Sequence, residues 1–299
     1  MPACPDTGLL RLAHVALRSP DPERLAVYYE RNVGLARVVA DDDVIRMTTD
    51  QHSHCLELHR DDSVSLDHIA FEVRDLDTAA AVLADGPAGV TVSHVESPGY
   101  GAAAVLTDPE DNAVRLVQGP EISAALASGS RVFRPGKLGH VGVRGADLHG
   151  LVDFYTANLG FRLSDWIGEQ VVFLRCNPDH HALVFVAEAS DVPSMHHMAY
   201  EVASFEGFST QADMLAANGV SVAWGPGRHA PSRNYFMYFD DDDGNRIEWM
   251  AGVRLIYDEE GHVPQVFDPA VPTTWNVWGP LPPPEFLRGL GPAERAADH

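Results

Sequence analysis

Alternating apolar and polar residues form the first regular segment of the chain, Leu12–Arg18, and the same pattern returns at Leu138–Arg144. A period of two predicts a β-strand. After each segment, an acidic N-cap residue and apolar side chains at helical spacing predict a helix that begins at Asp21 in the first case and at Asp147 in the second. A glycine ends each predicted helix.

The likeness between the two halves of the chain extends well beyond these segments. Leu66–Val73 resembles Met195–Val202, and Asp108–Arg115 resembles Asp241–Glu248, at similar spacings in both halves. Self-similarity at a long period predicts two homologous modules. Each module restarts its own order of strand, helix and further strands at its midpoint, so we expect an α+β protein with four βαβββ units, paired into two modules.

The expected domain boundaries follow from this repeat. We assign residues 1–122 to the first module and residues 136–252 to the second, because the stretch between them loses the strand pattern. The tail, residues 253–299, is rich in proline, which excludes long regular elements. It also carries Trp275 and Trp278, so we expect this C-terminal extension to pack on the second module.

Composition and charge exclude several classes of function. The chain has 299 residues, with 21 Lys+Arg against 43 Asp+Glu and a formal charge of −22. Without a basic cluster, nucleic acid is excluded as a partner. No apolar run approaches the roughly 18 residues of a membrane span. The chain begins without a recognisable signal peptide and its three cysteines are far apart, which predicts a cytoplasmic protein.

Histidine and glutamate provide the candidate chemistry. His140 and His197 hold equivalent places in two strands of the second module, and Glu248 lies in a closing strand after an Asp-Gly-Asn turn. Two imidazoles and one carboxylate on neighbouring strands predict a facial triad for Fe(II) or Mn(II), which leaves coordination positions open for substrate and dioxygen.

The first module tests how specific these histidines are. It retains histidine at three matching positions, His14, His54 and His68, so histidine alone does not identify a metal site. Arg115, however, aligns with Glu248, and an arginine is a permanent cation that cannot ligate a metal. We therefore expect only residues 136–252 to carry a working site.

The motifs LGHVGV, DHH, MHHMAYEV, GPGRH, FMYF and NRIEW resemble those of the type I extradiol ring-cleaving dioxygenases of the vicinal oxygen chelate superfamily. The resemblance implies two tandem modules, each a curled sheet around a cavity, with a degenerate, non-catalytic first half. It implies that His140, His197 and Glu248 bind the metal, Fe(II) or alternatively Mn(II). His197 is preferred to His196 because it aligns with His68.

Three further residues match family positions. The resemblance implies that His181 is an acid–base residue beside the dioxygen site, that Tyr238 is the hydrogen-bond partner of a substrate oxygen, and that His229 is the neighbour of Tyr238. Considered alone, His181 could cap a turn, His229 could lie on a surface loop and Tyr238 could belong to the core. These alternatives remain open at this point.

The function implied is cleavage of a catechol ring next to its two hydroxyls, with incorporation of both atoms of O2, in the degradation of aromatic compounds. The implied partners are a catecholic substrate and O2, and the implied assembly is a homo-oligomer, with a tetramer favoured. The alternatives are a metal-dependent isomerase or thiol transferase of glyoxalase type and a metal-free aromatic-binding protein of the same fold. A buried Glu248 without a cation argues against the latter.

Two departures from the family concern the substituent on the ring. Relatives that act on carboxylated catechols resemble the sequence around GPGRH but have arginine where this chain has Trp224, and often asparagine where it has Gly142. We therefore expect neutral catechols with apolar substituents, with Arg228 and Arg233 as alternative sources of positive charge. The acidic stretch Asp240–Asp243 lacks the ligand pattern of a calcium loop and is interpreted as a solvated turn.

Overall fold

A computed structural model describes residues 5–40, 44–49, 54–85, 90–119, 135–188 and 194–287. Most of the linker expected between the modules, and the last part of the C-terminal extension, lie outside the described residues. Among the described residues, no helix has the length and apolarity needed to span a membrane.

The first half consists of two successive units. In chain order its elements are β1 (Leu9–Ser19), α1 (Pro22–Asn32), β2 (Ala36–Ala40), β3 (Val44–Thr48), β4 (Leu56–Arg60), β5 (Ser65–Val73), α2 (Leu76–Ala84), β6 (Ser93–Ser97), β7 (Gly101–Thr107) and β8 (Ala113–Gln118). They form one mixed sheet with the strand order β2-β3-β4-β1-β5-β8-β7-β6, in which β1 and β5 join the two units.

The second half repeats this arrangement. Its elements are β9 (Lys137–Gly145), α3 (Leu148–Phe154), β10 (Arg162–Ile167), β11 (Val171–Arg175), β12 (Leu183–Ala187), β13 (Met195–Glu201), α4 (Phe205–Ala217), β14 (Trp224–Arg228), β15 (Tyr235–Asp240) and β16 (Arg246–Ala251). The sheet order is β14-β15-β16-β13-β9-β12-β11-β10, followed by one edge strand from the extension. The predicted α+β class with four βαβββ units is confirmed.

The predicted helix boundaries are confirmed by their caps. The Asp21 side chain accepts a hydrogen bond from the Arg24 amide at 3.1 Å, and the Asp147 side chain accepts one from the Gly150 amide at 3.0 Å. Helix α3 continues as a π-helical turn, Tyr155–Leu159, which ends at Gly160 with a φ of 82°. A left-handed residue of this kind ends a helix and is best accommodated by glycine.

The two modules contact each other through a reciprocal pair of hydrogen bonds. The Tyr29 hydroxyl of α1 donates to Asp241 Oδ2 at 2.8 Å, and the Tyr155 hydroxyl donates to Asp108 Oδ2 at 3.0 Å. Each tyrosine therefore binds the acidic turn of the other module. The interpretation of Asp240–Asp243 as a solvated turn is wrong for Asp241, which is buried, whereas Asp242 is exposed.

The C-terminal extension packs on the second module. Its strand β17 (Gln265–Phe267) pairs in parallel with β10 at the edge of the sheet. Two short helices follow, α5 (Pro272–Trp275) and α6 (Pro284–Leu287). They bring Trp275 and Phe286 to the cavity enclosed by the curled second sheet.

Candidate active site

Strand register brings the three expected metal ligands together. His140 on β9 and Glu248 on β16 both lie beside Ala199 of the strand between them, β13, which also carries His197. His140 Nε2 lies 2.9 Å from His197 Nε2, and Glu248 Oε2 lies 3.1 Å and 3.4 Å from these two nitrogens. All three side chains are buried, so their donor atoms converge away from bulk solvent.

These separations fit a metal ion. An octahedral divalent ion with bonds of about 2.1 Å places adjacent ligand atoms about 3.0 Å apart. Buried donors this close to one another, including a carboxylate, are better accommodated around a cation than by one another. Gly142 makes room for the arrangement, since a Cβ at this position would lie 2.4 Å from the ring of His197.

Asn234 orients the glutamate. Its Nδ2 donates a hydrogen bond to Glu248 Oε1 at 3.0 Å, and its Oδ1 accepts a short hydrogen bond from the Ser232 hydroxyl. Asn234 is fully buried just before β15. This residue was not predicted from the sequence, although a polar side chain two residues before FMYF is an available signal.

A chain of hydrogen bonds determines which ring nitrogen of His181 carries the proton. His180 Nε2 lies 2.8 Å from Asp165 Oδ2, and His180 Nδ1 lies 3.0 Å from His181 Nδ1. A carboxylate accepts hydrogen bonds, so a neutral His180 carries its proton on Nε2 and accepts from the Nδ1–H of His181. His181 Nε2 is then left with a lone pair. Asp165 and His180 were not anticipated as site residues.

His181 lies next to the proposed ligands. Its ring centroid is 4.1 Å from that of His140, and it lines the same cavity. Burial, followed by the neighbouring His140, holds the pKa of His181 well below its usual value. The imidazole is therefore neutral near pH 7, which leaves the lone pair on Nε2 unprotonated.

Tyr238 and His229 form a second hydrogen-bonded pair. His229 Nδ1 donates to the Trp275 carbonyl at 2.9 Å, so its Nε2 accepts the Tyr238 hydroxyl at 3.1 Å. Burial, followed by the nearby Glu248, raises the pKa of Tyr238 well above its usual value, and the phenol stays protonated. Burial also lowers the pKa of His229.

The cavity above these groups is mostly apolar. Its lining includes apolar side chains of β10, β11 and β12 together with Trp224, Trp275 and Phe286. No lysine or arginine belongs to the described lining. Arg228 instead donates to the Arg233 carbonyl and stacks on Tyr235 outside the cavity. Arg233 lines a separate pocket, so neither alternative source of charge belongs to the described lining.

The extension is held in place beside this cavity. Trp224 Nε1 donates to the Pro280 carbonyl at 2.8 Å. Arg246 Nη1 lies 3.2 Å from both the Phe286 carbonyl and His196 Nε2, and its guanidinium covers the Phe286 ring at 4.0 Å. His196 therefore contacts the extension, whereas His197 faces His140 and Glu248.

Comparisons with known proteins agree with this geometry. Residues 137–249 match the model of the Glyoxalase/Bleomycin resistance protein/Dioxygenase superfamily. The chain is 28% identical over 279 residues to metapyrocatechase 2 of Cupriavidus necator, covering 82% of this chain and 85% of the relative. It is 26% identical over 277 residues to a manganese-dependent 2,3-dihydroxybiphenyl 1,2-dioxygenase of Geobacillus genomosp. 3, covering 84% and 88%.

Among solved structures, the Mn(II)-bound glyoxalase from Novosphingobium aromaticivorans is similar with a TM-score of 0.81 at 25% identity, covering 93% of each chain. Fold and family model together show that the chain has the vicinal oxygen chelate fold. Its curated relatives are extradiol catechol dioxygenases, which it resembles over more than four fifths of its length.

Proposed function

We propose that this chain, an extradiol dioxygenase of the catechol 2,3-dioxygenase type, opens a neutral, apolar catechol next to its two hydroxyls and adds both atoms of O2. One observation carries the proposal. The buried group His140, His197 and Glu248 lies beside His181 and Tyr238 at the floor of an apolar cavity. The resulting ring opening would serve the degradation of aromatic compounds.

His140, His197 and Glu248 would hold the metal. Two histidines and one carboxylate with open positions are the ligand set of non-haem Fe(II) oxygenases, which favours Fe(II), and the same donors accept Mn(II). One curated relative is named as manganese-dependent. When bound, the ion orients the catechol and dioxygen and moves charge between them.

The protein's own groups manage the protons. A catechol must lose protons from its hydroxyls, and the lone pair on His181 Nε2 provides a buried acceptor. The charge that then forms on His181 is stabilised through His180 by the Asp165 carboxylate. Tyr238 keeps its proton and donates it in a hydrogen bond to His229 Nε2, so the phenol oxygen accepts a hydrogen bond from a substrate hydroxyl.

The cavity walls select the ring substituent. A carboxylate on the substrate would lose its hydration shell in this cavity, and the described lining residues include no arginine or lysine to pair with it. Burying an unpaired charge in this way costs free energy. An alkyl or aryl group, in contrast, would bury apolar surface against Trp224 and Phe286. The preferred substrates are therefore alkyl- and arylcatechols.

A direct assay tests this function. Protein loaded with Fe(II) under nitrogen is mixed with catechol, 3-methylcatechol or 3-phenylcatechol, and air is then admitted. We expect yellow ring-opened product and consumption of one O2 per ring, both lost in Glu248→Ala. Absence of colour and of O2 uptake with every diol would overturn the proposal.

The glyoxalase name of one similar structure supports a second candidate, a metal-dependent isomerase or transferase. Such a reaction consumes no O2, so isomerisation of a thiol adduct of a 2-oxoaldehyde under nitrogen would favour it.

We also propose how the chain is organised around this function. The first module (1–122) is non-catalytic, the second (136–252) holds the catalytic site, and residues 253–299 form the C-terminal extension. The protein is proposed to be a cytoplasmic homotetramer. Light scattering at the outlet of a sizing column measures its mass in solution.

A further inference from the structure

A second pocket adjoins the active-site cavity on the other side of the loop between β14 and β15. In this loop, His229 and Ser232 line the active-site cavity, and Pro231 lines both spaces. Ala230 and Arg233 line the second pocket only. The second pocket has a volume of about 550 Å³, which is within the range of small-molecule sites. The two spaces therefore share one wall, and the second is large enough to hold a small ligand.

Two arginines line this pocket from neighbouring segments of the chain. The Arg254 amide donates a hydrogen bond to the Ser232 carbonyl at 2.8 Å, which places Arg254 beside Arg233. Arg233 is exposed, and among the described residues its guanidinium has no hydrogen-bond or ion-pair partner. Arg254 is half-buried, and its Nη1 lies 3.7 Å from Asp165 Oδ2, which is longer than a hydrogen bond. Both guanidinium groups can therefore donate hydrogen bonds to a ligand.

Apolar side chains make up much of the remaining lining. The one carboxylate among the described lining residues is Asp258, whose Oδ1 accepts a hydrogen bond from the Gly261 amide at 2.8 Å. His262 Nε2 lies 2.9 Å from the Ser164 carbonyl, so this donor is used within the protein. The apolar lining residues include Leu255, Ile256, Val263 and Phe267. Two cations beside a hydrocarbon surface suit an organic anion.

The backbone of Arg233 has an uncommon conformation. Its φ is 59°, in the left-handed region that residues other than glycine rarely adopt. The Arg233 carbonyl accepts a hydrogen bond from Arg228 Nε at 2.9 Å, and the next residue, Asn234, donates to Glu248 Oε1 at 3.0 Å. Residues that their surroundings hold in such conformations cluster at functional sites. The loop that orients the proposed metal ligand therefore also fixes the place of Arg233.

The ring opening proposed above turns a neutral catechol into an anion. When both atoms of O2 add across the bond between a hydroxyl-bearing carbon and its neighbour, that bond breaks. The first carbon becomes a carboxylic acid, the second becomes an aldehyde or a ketone, and the other hydroxyl remains as an enol, so no atom is lost. At pH 7 the acid is ionised. The described lining of the active-site cavity has no arginine or lysine to pair with this carboxylate, so the product is less well accommodated there than the substrate.

We propose that the second pocket binds this ring-opened product, with Arg233 and Arg254 paired to its carboxylate and apolar side chains against its carbon chain. The identity of the ligand rests on the proposed function, whereas the preference for an organic carboxylate rests on the pocket alone. A guanidinium group can donate two parallel hydrogen bonds to a carboxylate. The chain carries a formal charge of −22 and repels anions as a whole, so the two arginines give the product a local place to bind beside the active site.

Calorimetry with sorbate, a stable six-carbon dienoate, tests the pocket without ring cleavage. Full-length protein loaded with Fe(II) is titrated with sorbate under nitrogen. We expect sorbate to bind, and Arg233→Gln and Arg254→Gln each to raise its Kd by about 10-fold or more, the effect of losing a charge-assisted hydrogen bond. Arg74→Gln, at an exposed arginine of the first module, is the matched control and should leave the Kd unchanged. Hexadienol, the neutral alcohol with the same carbon chain, should bind about 10-fold more weakly than sorbate.

Glu248→Ala separates this pocket from the metal. Sorbate should bind this variant as tightly as the unmodified protein, because none of the three proposed metal ligands lines the second pocket. Absence of sorbate binding, equal Kd values for the unmodified protein and Arg233→Gln, or loss of binding in Glu248→Ala would each overturn the proposal. Arg233 is exposed, so its replacement leaves the core intact and the comparison holds even if Arg254→Gln fails to fold.

The product itself provides a second readout. Catechol is turned over in air, and ultrafiltration then measures how much yellow product the protein retains. Retention should fall about 10-fold in Arg233→Gln and stay unchanged in Arg74→Gln. Product that forms but is retained equally by these two variants would overturn the proposal. Absence of product, with sorbate binding that depends on both arginines, would overturn the ring cleavage and leave the pocket as a carboxylate site.

Discussion

The indole ring of Trp224 lies parallel to the phenol ring of Tyr238, with ring planes 6° apart and centroids 5.5 Å apart. Because the indole N–H donates to the Pro280 carbonyl, only the ring of Trp224 is offered to the cavity. Phe286 packs against both rings, with centroids 4.6 Å and 4.7 Å away. The wall next to the proposed substrate-binding hydroxyl is therefore aromatic and has no charge.

The first prediction concerns this wall. We expect kcat/KM to be higher for 3-alkyl and 3-aryl catechols than for 3,4-dihydroxyphenylacetate. Trp224→Arg should shift the ratio towards the acid by about 10-fold or more, because a charge-assisted hydrogen bond contributes roughly 1.5–3 kcal/mol. Trp278→Arg, at an exposed tryptophan, is the matched control. A clear preference of the unmodified protein for the acid would contradict this prediction.

The candidate site could be predicted from the sequence in large part because the two modules share their strand register. Arg115 lies opposite Ala70 as Glu248 lies opposite Ala199, and Val105 lies opposite Arg115 as Tyr238 lies opposite Glu248. An alignment of the two halves therefore compared positions that are equivalent in space. Matching histidines, and the loss of the glutamate, could be read directly from the chain.

Other residues could not be located in this way. Asp165 and Asn234 reach the site through side-chain contacts with His180 and Glu248, which lie 15 and 14 residues further along the chain. Neither residue belongs to a motif that occurs in both halves of the chain, so an alignment of the halves does not single it out. Asp241 is buried where the two modules contact each other. The polarity of the neighbouring residues gives no sign of this contact, so the sequence predicted that the acidic turn is exposed to solvent.

The second prediction concerns proton transfer. His181→Asn and Tyr238→Phe should keep the metal and still bind catechol, yet lower kcat by about 10²–10⁴-fold, the usual effect of losing an acid–base group. His149→Asn and Tyr257→Phe, at exposed positions, serve as controls. Anaerobic catechol titration separates binding from turnover. A variant that turns over like the unmodified protein would remove its residue from the proposed chemistry.

The third prediction concerns the hydrogen-bond chain behind His181. In Asp165→Asn the new amide can donate a hydrogen bond to His180 Nε2, and the proton of His180 then moves to Nδ1. The Nδ1–H groups of His180 and His181 would then face each other, which favours a different tautomer of His181. We expect kcat to fall on the order of 10²-fold with little change in KM. Nitrogen NMR of the zinc-loaded protein should show His181 changing tautomer. Asp179→Asn, in the same DHH motif, is the control, and an unchanged His181 tautomer would argue against the relay.

The fourth prediction concerns the support of Glu248. Asn234→Ala removes the hydrogen bond to Oε1, and loss of such a contact typically weakens metal binding by about 10–100-fold. Competition with a coloured chelator measures the affinity for Fe(II). Asn177→Ala changes a half-buried asparagine that contacts none of the proposed ligands, and the affinity for Fe(II) should not change. Equal affinities of Asn234→Ala and the unmodified protein would show that Glu248 is held without Asn234.

The last prediction concerns stability and pH. Burial raises the pKa of Asp241 to about 7, although hydrogen bonds from Asn245 and Tyr29 act in the opposite direction. The pKa in the unfolded chain is about 3.9. Since the folded state favours the protonated acid, this group's contribution to stability is fully present below about pH 4 and is lost as the pH rises through about 7.

Asp241→Asn cannot ionise and should therefore lose less stability than the unmodified protein between pH 5 and pH 8. At 1.36 kcal/mol per pKa unit, the difference between the two curves has an upper limit of about 4 kcal/mol. Urea denaturation at several pH values measures the free energy of unfolding, with Asp213→Asn, at an exposed helix position, as the control. If the free energy of unfolding changes with pH in the same way for Asp241→Asn and the unmodified protein, Asp241 is already ionised at pH 5 in the folded protein.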